Sequence, residues 1–270
     1  ERDGSVALSE TSASLTVIQI DERLSSAEDL ASLLDSVTGA VVRRLGGLGD
    51  FSAVSIRGSS FRQVQVFLDG IPLNPSGSEA VNLGDFPLSM LERVEVYRGN
   101  APSEFGAAPI GGVVNLVTKI GADSQAVGME YGGLSTSRVS LSHLDSDDFE
   151  HWQTSSLLSA EAFHTQGDFS YFSDNGTLYN LMDDSIRVRG NNDTSQFSGL
   201  SRLVAANEDV QITLLDSVLL REEGLPGPGN SPAKDARLLT KRNLATLLAE
   251  GSLGALGLQA RVWRQDRVEE

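Results

Sequence analysis

The chain has no cysteine. Disulfides and thiolate chemistry are therefore excluded, and such a chain suits either a reducing compartment or an exported protein that folds without bridges. Positive charge is scarce: 21 Lys and Arg stand against 37 Asp and Glu, for a formal net charge of -16. That balance argues against nucleic-acid binding, where a basic face is the rule. No apolar run approaches the roughly 20 residues of a membrane helix; the best, IGGVVNLV from Ile110, is short and holds Asn115. A membrane β-barrel stays open, because its strands need only about 9–11 residues each and are weak signals singly. The chain starts ERDGSVALSE, with no initiator Met and no basic or apolar signal region, and reads as a mature or trimmed chain.

Chemical motifs are missing too. GGLGD (46–50) lacks both the G-x-G-x-x-G spacing and the Lys-Ser/Thr of a phosphate loop. His143, His151 and His164 have no zinc-like spacing, and G-x-S-x-G is absent. The acidic clusters DSDD (145–148), MDD (182–184) and NND (191–193) offer oxygen ligands that could take Ca²⁺, but they hold no D-x-D-x-D-G loop, and the plainer reading is solvated loops. The expectation is a protein that is not an enzyme and has no metal or cofactor of its own.

What is present is strand pattern and glycine. Residues 1–14 are polar and aperiodic, expected to be flexible. SLTVIQI (14–20) reads as a strand. SSAEDLASLLDSVTG is the one convincing helix: Ser25 caps it, Glu28 closes a capping box, Leu30, Leu33, Leu34 and Val37 form the apolar stripe, and Gly39 stops it. QVQVFLDGIPLN (63–74) alternates as a strand, with Val64, Val66 and Leu68 on one face. Asp69-Gly70 then signals a type I′ turn, and Pro72 limits the return to a stub. DFPLSMLERVEVYRGN reads as one helical turn begun by Pro87, then a strand from Arg93 to Tyr97.

Three glycine signatures stand out: SIRGSS (55–60), VEVYRGN (94–100) and GGVVNLVTK (111–119). Gly58, Gly99, Gly111 and Gly112 are expected to supply turns or close backbone approach. Arg57 and Arg98 end two strand-like runs at comparable points, either as a cationic pair that needs carboxylate partners or as solvated strand ends.

After Lys119 helical period vanishes. Strand candidates follow at 196–206, 210–222, 237–250 and 256–266, with weaker ones at 126–133, 137–145 and 155–165. Such lengths exceed the usual 5–6 residues or so of globular strands and suit a membrane barrel. The connections GLST, HLDSDDFEH, 166–195, ANED, REEGLPGPGNSPAKDA and EGSLGA put short turns on one side and mostly longer loops on the other, the asymmetry of outer-membrane barrels. The competing fold is a secreted β-sandwich.

VSIRGSSFRQVQVFLDGIPLN, followed by FPLSMLERVEVYRGNAPSEFGAAPIGGVVNLVTK, closely resembles the plug domain of TonB-dependent outer-membrane receptors, nearest the vitamin B12 and catecholate-siderophore branch. The likeness runs in order from about Val17 to Lys119, and EGLPGPGNSPAKDARL is similar to a barrel-loop pattern of that group. The fold class implied is an α+β plug with a small mixed sheet (15–120), after a flexible segment (1–14). The first strands of a large antiparallel transmembrane barrel (121–270), of the 22-stranded class, would follow. Seven strands cannot close such a wall: either the chain is part of a longer protein, or its C-terminal half is not a barrel.

The resemblance implies an outer-membrane receptor that takes up a siderophore-iron chelate or a corrinoid. Its partners would be a TonB-type energy-transducing protein, outer-membrane lipid and lipopolysaccharide, and no nucleic acid. The alternative is a plug-bearing sensing or binding module that does not transport. Arg57 and Arg98 match plug arginines that latch onto barrel glutamates. Gly46, Gly47, Gly49 and Asp50, with Asn74, Ser76, Ser78 and Asn82, match apical substrate-contacting loops. Val6, Ala7 and Leu8 lie where an energy-coupling box belongs; such a segment pairs with its partner as an added strand.

Overall fold

A computed structural model describes residues 8–12, 15–20, 29–47, 49–74, 80–99, 101–102, 105–106, 110–177, 179–253 and 256–270. They form an inner unit cupped by a curved wall.

The inner unit is a six-stranded mixed sheet built from β1 (Leu8–Ser12), β2 (Leu15–Gln19), β5 (Gln65–Leu68), β6 (Ile71–Pro72), β7 (Leu91–Tyr97) and β8 (Val113–Thr118). Their order is β1-β2-β7-β8-β5-β6, with β5 and β8 parallel and the other pairs antiparallel. Part of the segment expected to be flexible is thus strand β1, paired with β2. Helix α1 (Leu30–Asp35) and the hairpin of β3 (Ala40–Arg44) and β4 (Ser52–Ile56) complete the unit. Leu30, Leu33, Leu34, Val37, Val54 and Ile56 join Val94, Val96 and Leu116 of the sheet in one core. Each fully buried leucine there contributes roughly 2 kcal/mol by leaving water.

The described N-cap of α1 is Asp29, whose Oδ1 accepts from the Ser32 N–H at 2.8 Å. Ser25 and Glu28 lie outside the described residues. Arg44 grips the same carboxylate with two nitrogens, at 2.5 and 2.7 Å. Burial works to raise the Asp29 carboxyl, but the Arg44 and Ser32 bonds outweigh it and hold it below the usual carboxylate range. The Asp69-Gly70 turn has φ of 47 and 73°, positive at both positions as a type I′ turn requires, and β6 is the two-residue stub that Pro72 allows.

The wall is a seven-stranded antiparallel meander: β9 (Ser124–Gly132), β10 (Thr136–Phe149), β11 (Trp152–Thr165), β14 (Thr194–Ala206), β15 (Val210–Gly224), β16 (Arg237–Leu253) and β17 (Leu256–Glu269). HLDSDDFEH is not a loop. Strand β10 runs through it to Phe149 and the turn is Glu150-His151, with Glu150 at φ 52°. The long 166–193 connection carries its own hairpin, β12 (Ser170–Ser173) with β13 (Ser185–Val188). The short turns 150–151 and 207–209 therefore share one rim with the end of β16 and the start of β17, and the connections 133–135, 166–193 and 225–236 share the other.

Burial alternates strictly along β15: Thr213, Leu215, Ser217, Leu219 and Arg221 face inward, while Ile212, Leu214, Asp216 and Leu220 are exposed. Among outward residues, cross-strand pairing aligns Gln125, His143, Leu158, Ser201, Asp216, Ala245 and Arg264 in one row. On β9 the apolar side chains Val127, Met129 and Tyr131 lie on the long-loop side of that row. On β17 Leu256, Leu258 and Val262 lie on the short-turn side. The apolar belt thus slides about eight residues along the strands over six strand steps, roughly 26 Å against 29 Å, a slope of about 40°. A belt level with a bilayer slopes this way across strands tilted about 35–45° to the barrel axis. Inside the belt, Asp216 accepts a hydrogen bond from Asn243 Nδ2 at 2.9 Å.

Candidate functional site

Inward-facing wall residues meet the inner unit along a seam that runs from rim to rim. Near the long-loop rim a cavity of about 700 Å³ opens between the 45–51 loop and the wall's loops. Gly46, Gly47, Asp50 and Phe51 line one side, and Phe169, Tyr171 and Arg189 face them. The loop folds onto Asp50: its Oδ2 accepts from the Gly47 N–H, and a Cβ on Gly46 would collide with that carboxylate. Burial raises the Asp50 carboxyl above the usual range, against the pull of the Gly47 N–H and the Arg221 guanidinium. Arg189 sits 5.9 Å from the Tyr171 ring centroid and donates to the Gly227 carbonyl. Aromatic faces, one cation and two carboxylates, Asp50 and Glu223, suit a solute with flat apolar faces and polar edges.

Of the other apical candidates, Gly49 packs against Thr194 and Phe163 of the wall. Asn74 is spent on the backbone, accepting from Val66 N–H at 2.8 Å and donating to Val64 O at 3.2 Å. Asn82 is fully buried, and its Oδ1 accepts from Ser52 N–H at 2.9 Å and Gly84 N–H at 3.1 Å. In this arrangement both asparagines organise the loop's ends. Ser76 and Ser78 lie outside the described residues, as do Val6 and Ala7; Leu8 starts β1.

Deeper in the seam lies a charge node that sequence reasoning missed. Asp85, 2% exposed, sits in a short 3-10 turn (Leu83–Asp85) of the inner unit. Its Oδ1 takes Arg221 Nη1 at 2.7 Å and its Oδ2 takes Arg242 Nη1 at 3.2 Å, with Arg267 Nη1 at 3.9 Å. The three arginines stand on neighbouring strands β15, β16 and β17. Arg242 also stacks on Phe86, 4.3 Å from its centroid, and Gln196 Nε2 donates to Gly84 O at 3.0 Å. Toward β11, Ser89 Oγ donates to Glu161 Oε2 at 2.6 Å. The signal for the arginines was in their phase: Arg221, Arg242 and Arg267 fall on the inward positions of period-two strands, beside both leucines and small polar residues.

The expected latch arginines are placed differently. Arg57 is exposed on a turn at φ 52°, followed by Gly58 at φ 75°. Arg98 is buried, and donates from Nη2 to Thr16 Oγ1 at 2.8 Å and from Nη1 to Thr38 O at 3.1 Å. Gly99 follows it in a bend. Gly111 and Gly112 precede β8, where a Cβ would come within 2.6 Å of the Gln63 and Tyr97 carbonyl oxygens respectively. Asp69 accepts from Thr118 N–H at 3.0 Å and Oγ1 at 2.7 Å, so the hairpin tip is tied to β8. Among the described residues no group of three or more His, Asp or Glu side chains is placed to hold a metal ion.

Residues 7–113 match the family model described as TonB-dependent Receptor Plug Domain. A vitamin B12 transporter, BtuB, of Vibrio cholerae serotype O1 (strain ATCC 39315 / El Tor Inaba N16961) is 34% identical over 112 residues, covering 42% of this chain and 18% of that protein. Among solved structures, the unliganded ferric citrate transporter FecA superposes with a TM-score of 0.68 at 18% identity, over 94% of this chain and 40% of that one. The siderophore receptor PirA from Acinetobacter baumannii gives 0.67 at 18% identity, over 94% and 39%. The chain thus spans less than half the length of the relatives it matches.

Proposed function

We propose, from the premise that residues 7–113 are a TonB-dependent receptor plug domain and the strands after it resemble the start of such a receptor's barrel, that the whole protein imports a scarce solute across the outer membrane of a Gram-negative bacterium. The solute class is a siderophore-iron chelate or a corrinoid, as the relatives' names suggest. It binds from outside in the cavity between the Gly46–Asp50 loop and the barrel loops. A TonB-type protein then pairs with the N-terminal segment around Val6, Ala7 and Leu8 and pulls. The plug catalyses no bond change; it holds the lumen shut until work is done on it. The outward apolar belt rests against lipid and lipopolysaccharide.

The observation that carries this reading is the joint construction of the outer cavity, by the plug's own loop on one side and the long barrel loops on the other. A deletion strain, grown on ferric enterobactin, ferric citrate or cyanocobalamin as sole source of iron or cobalamin, tests it. Growth on one of these should require the full-length gene, and removal of residues 6–8 should abolish uptake while leaving surface binding intact. Binding without accumulation in the intact strain would favour a sensing or binding module instead.

A further inference from the structure

The two longest loops of the wall are ordered without a core beneath them. Among the described residues, the connections 166–193 and 225–236 supply nothing to either hydrophobic cluster, and Phe172, Ile186 and Val188 of the β12–β13 hairpin are exposed. Polar bonds hold these loops instead, and they converge on one amide. Asn191 Nδ2 donates to the carbonyls of Leu225 at 3.1 Å, Ala233 at 3.3 Å and Ala236 at 2.9 Å. An amide carries two N–H groups, so one of them is shared between two carbonyls. Leu225 and Ala236 are the first and last residues of the second loop, so a side chain of the first loop closes the second at its base. Asn191 has φ 53°, the left-handed region that asparagine and glycine tolerate best. Gly224 permits the approach, because a Cβ there would lie 2.6 Å from the Asn191 carbonyl oxygen.

Further bonds run the same way, from the first loop to the second. Tyr171 Oη donates to Gly229 O at 3.2 Å, and Arg189 Nη2 donates to Gly227 O. At the foot, Arg237 takes Asp193 with two nitrogens, each at 2.8 Å. The residues so joined face the outer cavity: Phe169, Tyr171 and Arg189 line it from one loop, and Leu225, Pro226 and Gly229 from the other. Asn191 does not line it. The two loops thus make a single wall of that cavity. The 45–51 loop opposite is braced separately, by Asp50 on the Gly47 N–H.

We infer that Asn191 is a positioning residue for the solute: it joins the two loops into one wall before the solute arrives, and so sets affinity without touching it. Ordering loops at the moment of binding lowers affinity by the conformational freedom then lost, and a wall assembled beforehand avoids that loss. Because no apolar core holds these loops, the bonds of this one amide weigh more than they would over a packed core. The inference deepens the uptake reading above and rests on it.

The test uses the full-length protein in the outer membrane. Asn191→Gly keeps the left-handed backbone and removes the three bonds. Asn191→Asp keeps the shape but turns an acceptor toward three carbonyls at neutral pH. The readout within the loop is amide exchange at Leu225 and Ala233, whose N–H groups bond to Ala236 O at 2.8 Å and Pro226 O at 2.9 Å. In both variants that exchange should accelerate at least tenfold, while β7 and β8 of the plug keep wild-type rates. Affinity for whichever of ferric enterobactin, ferric citrate or cyanocobalamin the protein binds should weaken at least tenfold. Uptake at saturating solute should match wild type, because the wall is then held by the solute itself; a damaged barrel would lower both. Unchanged exchange at Leu225 and Ala233 overturns the joining of the loops. Faster exchange with wild-type affinity overturns the positioning role, and so does a loss of saturating uptake accompanied by faster exchange in the plug. If Asn191→Asp fails to assemble, Asn191→Gly decides alone. If the wild-type protein binds none of the three solutes, the uptake reading fails and the affinity role with it, while the exchange measurement still decides whether this amide joins the loops.

Discussion

Asp85 of the plug and Arg221 of the barrel wall lie 2.7 Å apart, with side chains 1% and 3% exposed. The plug therefore presents a buried acid to cationic strands, the opposite polarity to the arginine-on-glutamate latch the sequence suggested for Arg57 and Arg98. Removing one partner of a buried pair costs about 3–5 kcal/mol, because the other charge is stranded. Asp85→Ala should therefore loosen plug docking strongly, raising hydrogen exchange of residues 83–91 in the full-length protein. The exposed Arg264–Asp266 pair is the contrast: surface pairs are worth about 0–1 kcal/mol, so Arg264→Ala should leave that exchange unaltered. Equal behaviour of the two variants would contradict the assignment.

Arg57 and Arg98 should separate in the same assay. Arg98→Ala removes two charge-assisted hydrogen bonds inside the plug, worth roughly 1.5–3 kcal/mol each, and should speed exchange in β2. Arg57→Ala loses no bond within the described residues except what the rest of a barrel wall supplies. Faster plug exchange in that variant of the full-length protein would support the latch role; unchanged exchange would count against it.

Asp29 links a helix cap to Arg44. Its carboxyl is held below the usual range, so its contribution is complete above the ordinary carboxylate pKa of about 4 and is lost as the pH falls through the lower folded value. Asp29→Ala should destabilise the plug by about 1–2 kcal/mol at neutral pH. Asp29→Asn should keep the cap and lose the acid-dependent part. Denaturant unfolding of the plug signal, followed against pH, checks both.

Asp50 carries the opposite sign. Burial raises its carboxyl, so the folded loop holds its proton more tightly than the unfolded chain does. The penalty is absent below about pH 4, grows as the pH rises toward the raised value and is constant above it. Asp50→Asn should therefore steady residues 46–51 at neutral pH and flatten their pH dependence. Exchange protection of those amides, taken as a ratio to wild type across pH, would expose a wrong sign.

The outer face can be probed with one charge. Leu214 points outward within the sloping apolar belt. Leu214→Arg should cost about 2–4 kcal/mol if that belt meets lipid near the bilayer midplane, seen as poorer folding into vesicles. A neutral outcome would place the belt elsewhere.

How much of this was legible in the chain follows from the range of the forces. Alternation along 210–222, the turn at Asp69-Gly70 and the stub ended by Pro72 are local consequences of φ/ψ preference and side-chain period. They were read directly, as was the family likeness carried by IRG and YRG. Period-two alternation also held the inward phase of Arg221, Arg242 and Arg267, but phase alone does not say which side is inside when both faces mix leucine with polar residues. Where strand β10 ends was hidden because DSDD resembles a loop by composition; its pairing with β11 overrides that preference. The sequence by itself determined the long alternating strands, the Asp69-Gly70 turn and the likeness to a plug domain. The tertiary structure alone decided that Asp85, 136 positions before Arg221 in the chain, is the acid those strands enclose. A buried charge is stable only where opposite charge converges on it in space, and no local pattern encodes that convergence.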